Sequence, residues 1–241
     1  MGAPKRYSDG VTNIGKAKTL SEMPMLDPTK TYGVFDDFFT YAAADWENDE
    51  DGTGTELISA TETGGVLVLT TEGAQTDDFN FVQYSEDGGT TPSTTFLFAL
   101  GKKAWFKARL KLSETTANIS SWTAGLYINN EDPIASNADD GVWFESATTS
   151  TDVDLYITKG GSDTVVAGAF QCVSGTYLTL GFYWDGIDTI HYFKDDVLEG
   201  SVGVGTSLPD DATCAISFGL ENGEAAANAM HVDYIGAWME R

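Results

Sequence analysis

Carboxylates are the one chemically versatile group this chain holds in excess. Its 241 residues carry 37 Asp and Glu against 13 Lys and Arg and two His, for a formal net charge of -24. Two carboxylates can cleave a glycosidic bond when one acts as acid and the other as nucleophile or base, which on a strand requires them to share a face at a spacing of two. Asp152-Val153-Asp154 has that spacing, but Ser150 precedes it and Ile157 follows, so the flanking glutamates of a Glu-x-Asp-x-x-Glu hydrolase pattern are missing. In so acidic a chain the pair reads as solvated surface, and no enzymatic activity is expected. His191 and His231 both fall in strand-like runs and are too few for a His-based triad or a His-rich metal site. No glycine-rich loop joins a strand to a helix, so nucleotide binding has no support.

Oxygen ligands suited to a structural calcium occur at Glu131-Asp132, Asn137-Ala138-Asp139-Asp140 and Asp185-Gly186-Ile187-Asp188. None has the EF-hand order, ordinary loop solvation accounts for them, and no cofactor is expected. Cys172 and Cys214 have no Cys or His nearby at zinc-ligand spacing and read as two buried thiols. Of the six tryptophans, Trp105, Trp143, Trp184 and Trp238 lie inside dense apolar runs and read as core or sheet packing. Trp46 and Trp122 stand beside polar loops and are the candidate platforms for a sugar ring, whose apolar face an indole can cover.

The elements that must position these residues are strands. Thirteen short alternating runs separated by Gly, Asn, Asp and Thr fall at 65–71, 80–84, 94–99, 103–112, 123–128, 141–145, 153–159, 163–167, 176–184, 189–194, 197–202, 212–220 and 230–240. Such spacing predicts an all-β fold, an antiparallel sandwich, over residues 34–241. In the run 105–112, Phe106, Ala108, Leu110 and Leu112 share one face, and Lys107, Arg109 and Lys111 the other, so one side packs and the other is wetted. The run 177–184 is apolar at nearly every position and reads as a central strand. Asp185-Gly186 and Asp195-Asp196 then punctuate a meander, since both residue types accept turn dihedrals.

Residues 1–33 hold Pro4, Pro24 and Pro28 and show neither period, so they read as an extended N-terminal arm. Within 1–30 five basic residues outnumber three acidic ones, which leaves -26 on the remainder. A weakly basic arm on a strongly acidic body disfavours nucleic acid as a partner and suits an arm that meets an acidic protein surface. The start lacks an apolar signal region and no apolar run reaches the length of a bilayer span, so a protein made in a cytoplasm, with no membrane partner, is expected.

Several segments together resemble the capsid decoration, or cement, proteins of tailed bacteriophages. They are Pro4-Lys5-Arg6-Tyr7 with Gly10-Val11-Thr12-Asn13, Asp27-Pro28-Thr29-Lys30, Phe35-Asp36-Asp37-Phe38, Gly101 to Arg109, Leu180-Gly181-Phe182-Tyr183, Leu208-Pro209-Asp210-Asp211, Phe218 to Ala227, and Val232-Asp233-Tyr234-Ile235. The resemblance implies a concanavalin A-like or laminin-G-like jelly roll on the outer surface of a virion, bound to the major capsid protein. It further implies that Lys5, Arg6, Tyr7, Val11, Thr12, Asn13, Lys16 and Lys18 of the arm contact the shell, and that the protein is a homo-oligomer, with a trimer favoured. The alternative is a glycan-binding adhesion module on the virion, using Trp46 and Trp122.

Overall fold

The computed structural model describes residues 29–85, 95–114, 120–129, 134–146 and 150–241. Its strands are β1 (Thr31–Asp36), β2 (Trp46–Glu50), β3 (Thr55–Ile58), β4 (Leu67–Thr70), β5 (Phe79–Tyr84), β6 (Ala104–Leu112), β7 (Ser120–Tyr127), β8 (Gly141–Ser146), β9 (Asp152–Lys159), β10 (Ser162–Gln171), β11 (Leu178–Trp184), β12 (Thr189–Lys194), β13 (Val197–Gly203), β14 (Ala215–Asn222) and β15 (Ala229–Glu240). They form two sheets. Sheet A runs β13-β12-β11-β6-β15-β4-β3, with β1 also on β15; sheet B runs β10-β9-β8-β7-β14-β5-β2. Every pairing is antiparallel, as in a jelly-roll sandwich.

The alternation of β6 holds residue by residue. Phe106, Ala108, Leu110 and Leu112 are buried, while Lys107, Arg109 and Lys111 are half-exposed on the outer face of sheet A. The inward side chains of both sheets, Phe182 and Leu180 of β11, Phe144 of β8, Phe218 of β14 and Ile235 of β15 among them, make one core. Removing this apolar surface from water is what drives the two sheets together. β11 sits between β6 and β12, as its apolar run predicts. Asp195 and Asp196 turn the chain from β12 into β13 with φ of 50° and 65°, the left-handed pair that a two-residue hairpin requires.

Four expectations need correction. The body begins before residue 34, because Thr31, Tyr32 and Gly33 already pair with Glu240, Met239 and Trp238 of β15. The run 94–99 is not a strand among the described residues; Phe96 and Ala99 make isolated bridges to Cys214 and Lys102. β14 starts at Ala215 and not at 212. β2 and β3 were not anticipated, since their sequences WENDE and TELI are too polar to show a core-facing period. Both cysteines are free and buried.

Candidate functional site

The outer faces of the two sheets are the surfaces on which this sandwich could meet a ligand or partner. On sheet A, register aligns Gly33 of β1, Trp238 of β15, Trp105 of β6, Tyr183 of β11 and His191 of β12 in one row across five strands. Trp105 and Tyr183 stack at 5.4 Å, and Tyr183 and His191 at 5.7 Å. All three are half-buried, and burial raises the Tyr183 hydroxyl above its ordinary pKa against the nearby charge of Lys103. Trp238 lies down over glycine: a Cβ on Gly236 would come within 2.4 Å of its Cη2 and one on Gly33 within 2.6 Å of its Cδ1. Only residues without a side chain leave room for an indole flat against the sheet. Phe35 then stacks over Trp238 at 6.1 Å and meets Tyr234 at 6.0 Å.

Beside the aromatic row stands an ionic one. A bulge in β15 between Val232 and Tyr234 turns Asp233 and Tyr234 outward together. Asp233 pairs with Arg109, and Lys107 pairs with Asp196. Glu62 accepts hydrogen bonds from Lys111 Nζ and the Tyr177 hydroxyl, both at 2.8 Å, and lies 2.5 Å from His231 Nδ1. Burial alone would raise the Glu62 carboxyl, but these three partners hold it down at about 2. The Arg109 guanidinium covers the Tyr177 ring at 4.1 Å. Every cation of β6 is thus matched by a carboxylate, and the network is a fastener across β6, β15 and the 59–65 loop.

Sheet B is different. Several of its outward side chains are polar yet buried: Ser121, Thr123, Thr158 and Ser217 are 0% exposed, and so are the aromatic Tyr127 and Trp143. Ala138 packs against Tyr127 and Trp143. Trp143 stacks on Tyr156 at 5.2 Å with ring planes 6° apart, and its Nε1–H donates to Glu145 Oε2 at 3.0 Å. Register sets Glu145 of β8 opposite Asp154 of β9, so two carboxyls share this face. Burial, helped by the charges of Asp154 and Asp163, pushes Glu145 up to about 7 against the Trp143 hydrogen bond. Burial and the same three carboxylates push the Tyr156 hydroxyl up to about 12.

A raised carboxylic acid facing a second carboxylate is the material of acid-base chemistry. Its setting argues otherwise: Glu145 is 7% exposed and the indole beside it is fully buried, so no sugar ring has a face to stack on. Asp152, the other member of the sequence pair, accepts from Gln171 Nε2, and Asp154 accepts from the Gly168 amide at 2.7 Å. The Glu145 and Asp154 apposition was missed because it depends on the β8–β9 register, to which nothing in either strand's own sequence points.

The proposed sugar platforms are overturned. Trp46 is 2% exposed, wedged among Phe38, Tyr84 and Phe218, and Trp122 is 1% exposed on the inward side of β7 with Ala124 and Leu126. A polar neighbour in sequence does not expose a strand residue whose parity points inward. Trp143, Trp184 and Trp238 are packed as expected. Trp105 is packed only along the sheet and stays on the wetted face. The alternation that turns Lys107 outward turns Trp105 outward too. The arm residues Lys5, Arg6, Tyr7, Val11, Thr12, Asn13, Lys16 and Lys18 lie outside the described residues, as do Glu131 and Asp132. Asp140 accepts from the Gly160 amide of the β9–β10 turn, and Asp185 accepts from the amides of Ile187, Asp188 and Thr189 in its own turn. Among the described residues no three His, Cys, Asp or Glu converge as metal ligands, and no helix is long and apolar enough to cross a membrane.

No protein-family model matches the chain, and neither does any curated protein sequence. Solved structures do share its fold. A protein of unknown function from Shewanella oneidensis MR-1 matches with TM-score 0.60 at 14% identity, over 92% of this chain and 91% of its own. An endo-1,3-β-glucanase from Streptomyces sioyaensis matches with TM-score 0.57 at 14% identity, over 90% of this chain and 99% of its own. A mixed-linkage-glucan GH16 protein from Bacteroides ovatus matches with TM-score 0.57 at 15% identity, over 84% and 98%. At these identities the likeness is one of fold, the jelly-roll sandwich of concanavalin A type.

Proposed function

We propose that this chain is a structural protein of a tailed-phage virion, which decorates and stabilises the capsid by binding the major capsid protein on the outside of the shell. What supports the reading is the resemblance carried by the segments from Pro4 to Ile235. Within the described residues they fall on scaffold: Gly101 to Arg109 leads into β6, Leu180 to Tyr183 lies in β11, Phe218 to Asn222 in β14 and Val232 to Ile235 in β15. The charge division fits the same role, since a segment of +2 on a body of -26 is drawn to an acidic surface while the body stays in solvent. In this reading the chain is not an enzyme, needs no cofactor and assembles as a trimer at local three-fold positions, so that many copies reinforce the shell by multivalent contact. Cosedimentation with empty shells of the parent particle tests it: the full chain pellets with shells, and a chain lacking residues 1–28 stays in the supernatant. Failure of the full chain to pellet would overturn the reading.

A second reading, glycan binding on the virion surface, is favoured by the Trp105, Tyr183 and His191 row with Lys103 beside it. A glycan array would return hits that Trp105→Ala abolishes; an empty array removes this reading and leaves the first intact.

A further inference from the structure

Between Lys30 and Lys102 the chain holds fourteen Asp and Glu and no Lys or Arg, so this stretch supplies none of its own counter-charge. The polar strands β2 and β3 both lie in it, one at the edge of sheet B and the other at the edge of sheet A. Glu50, the last residue of β2, stands opposite Asn80 of β5, and Glu56 of β3 stands opposite Leu69 of β4. Leu69 and Val82 belong to the core, so register and parity turn Glu56, Asn80 and Glu50 toward the space between the sheets. There Asn80 Nδ2 donates to Glu56 Oε1 at 2.5 Å and to the Thr70 carbonyl at 3.3 Å. Gly54 marks the point on which these groups converge. A Cβ on it would stand 2.7 Å from Glu50 Oε2, 2.7 Å from Asn80 Nδ2 and 2.9 Å from the Thr70 carbonyl oxygen. Its φ is outside the left-handed region, so glycine is required here for space and not for backbone freedom.

Two buried atoms next to this cradle point to a ligand. Asn80 is 0% exposed, yet its Oδ1 has no hydrogen-bond partner, and neither has Asp78 Oδ1, on a residue 1% exposed and two positions back on the same side of the strand. Burial and the nearby charge of Glu56 raise the Glu50 carboxyl above its ordinary value, so the two glutamates oppose each other. We propose that Glu50, Glu56, Asn80 and the Thr70 carbonyl bind one calcium ion between the edges of the two sheets. Two carboxylates with an amide and a carbonyl oxygen form a hard, oxygen-only donor set, which leaves room for water to complete six or more ligands. With the ion in place the Asn80 amide turns over: Oδ1 becomes a ligand and Nδ2 faces the side of Asp78, so both orphaned oxygens gain a partner. The ion offsets the repulsion between the glutamates and fastens β2 to β3, the edge strands that no backbone ladder joins. It is a structural ion and does not depend on the decoration reading.

The test titrates the full chain, stripped with EDTA, with calcium chloride in a calorimeter at physiological salt. One ion per chain is expected, with a dissociation constant of about 10⁻⁴–10⁻³ M, the range of sites with few charged ligands. Glu50→Gln with Glu56→Gln keeps the shape of both side chains and should weaken binding tenfold or more. Gly54→Ala keeps both carboxylates, only fills the cradle, and should weaken it as much. Thermal melting gives a second readout, and its sign reverses. Calcium raises the melting temperature of the wild type and not of the double variant, while in EDTA the double variant melts no lower than the wild type, because the repulsion is gone. A wild-type chain that takes up no calcium at 10 mM overturns the proposal. So does uptake that both variants retain, which would put the ion elsewhere on the acidic surface. A response to magnesium chloride equal to that to calcium, and unchanged in the variants, also overturns it, since screening of the net charge then accounts for the effect.

Discussion

The outer faces of sheets A and B are built from the same strand geometry and come to opposite ends. Sheet A turns outward long cations and aromatic rings that pair with one another and remain half-exposed, while sheet B turns outward Ser, Thr, Gln and a glutamic acid that are almost wholly buried. On sheet A each cation of β6 has a carboxylate partner at the surface, where such a pair costs little to keep. On sheet B one carboxyl was taken from water with an indole N–H as its donor and other carboxylates nearby. Polarity in sequence therefore does not tell which face of a sandwich is wet.

The largest test of that contrast is a pair of truncations. Trp143→Ala on sheet B removes a fully buried ring and leaves Glu145 without its donor, so a loss of about 3–5 kcal/mol is expected. Trp105→Ala on sheet A removes a half-buried ring stacked only along the sheet, at about 1 kcal/mol. Urea unfolding of both variants measures it; equal losses would mean that the two faces are equally packed.

Much of this fold was open to a reader of the sequence alone. The β12–β13 hairpin follows from Asp195-Asp196 between two alternating runs, and the 189–194 strand has the bounds its pattern predicts. The faces of β6 follow from parity, and so would the outward position of Trp105 had the same parity been applied to it. What could not be read depends on partners distant in sequence. Trp46 and Trp122 look like surface residues until the two sheets close on one core that holds both, and the seat of Glu145 exists only because β9 pairs with β8 in one register. β2 and β3 escaped notice because polar strands announce no period.

Next in size is the proton on Glu145. Its pKa rises on folding from 4.5 to about 7, so the folded state holds the proton more tightly than the unfolded one. The stabilisation is complete below about 4.5 and is lost as pH rises to about 7, by ~3 kcal/mol at most. Glu145→Gln keeps the shape and discards the titration. Between pH 4.5 and 8 the wild type should fall relative to this variant, and parallel curves would show that the carboxyl of sheet B is wetter than its burial implies.

The smallest effect belongs to sheet A and has the opposite sign. Glu62, held at about 2 by Lys111, Tyr177 and His231, binds its proton less tightly folded than unfolded. Its contribution is present above 4.5 and is lost as pH falls toward 2. Because the cluster is partly open to water, about 1 kcal/mol is the scale expected. In Glu62→Gln the acid-side decline between pH 4.5 and 2 should be shallower, and salt should shrink the difference, since surface pairs are screened and buried groups much less so. A salt-insensitive difference would place Glu62 with Glu145 and erase the distinction between the two faces.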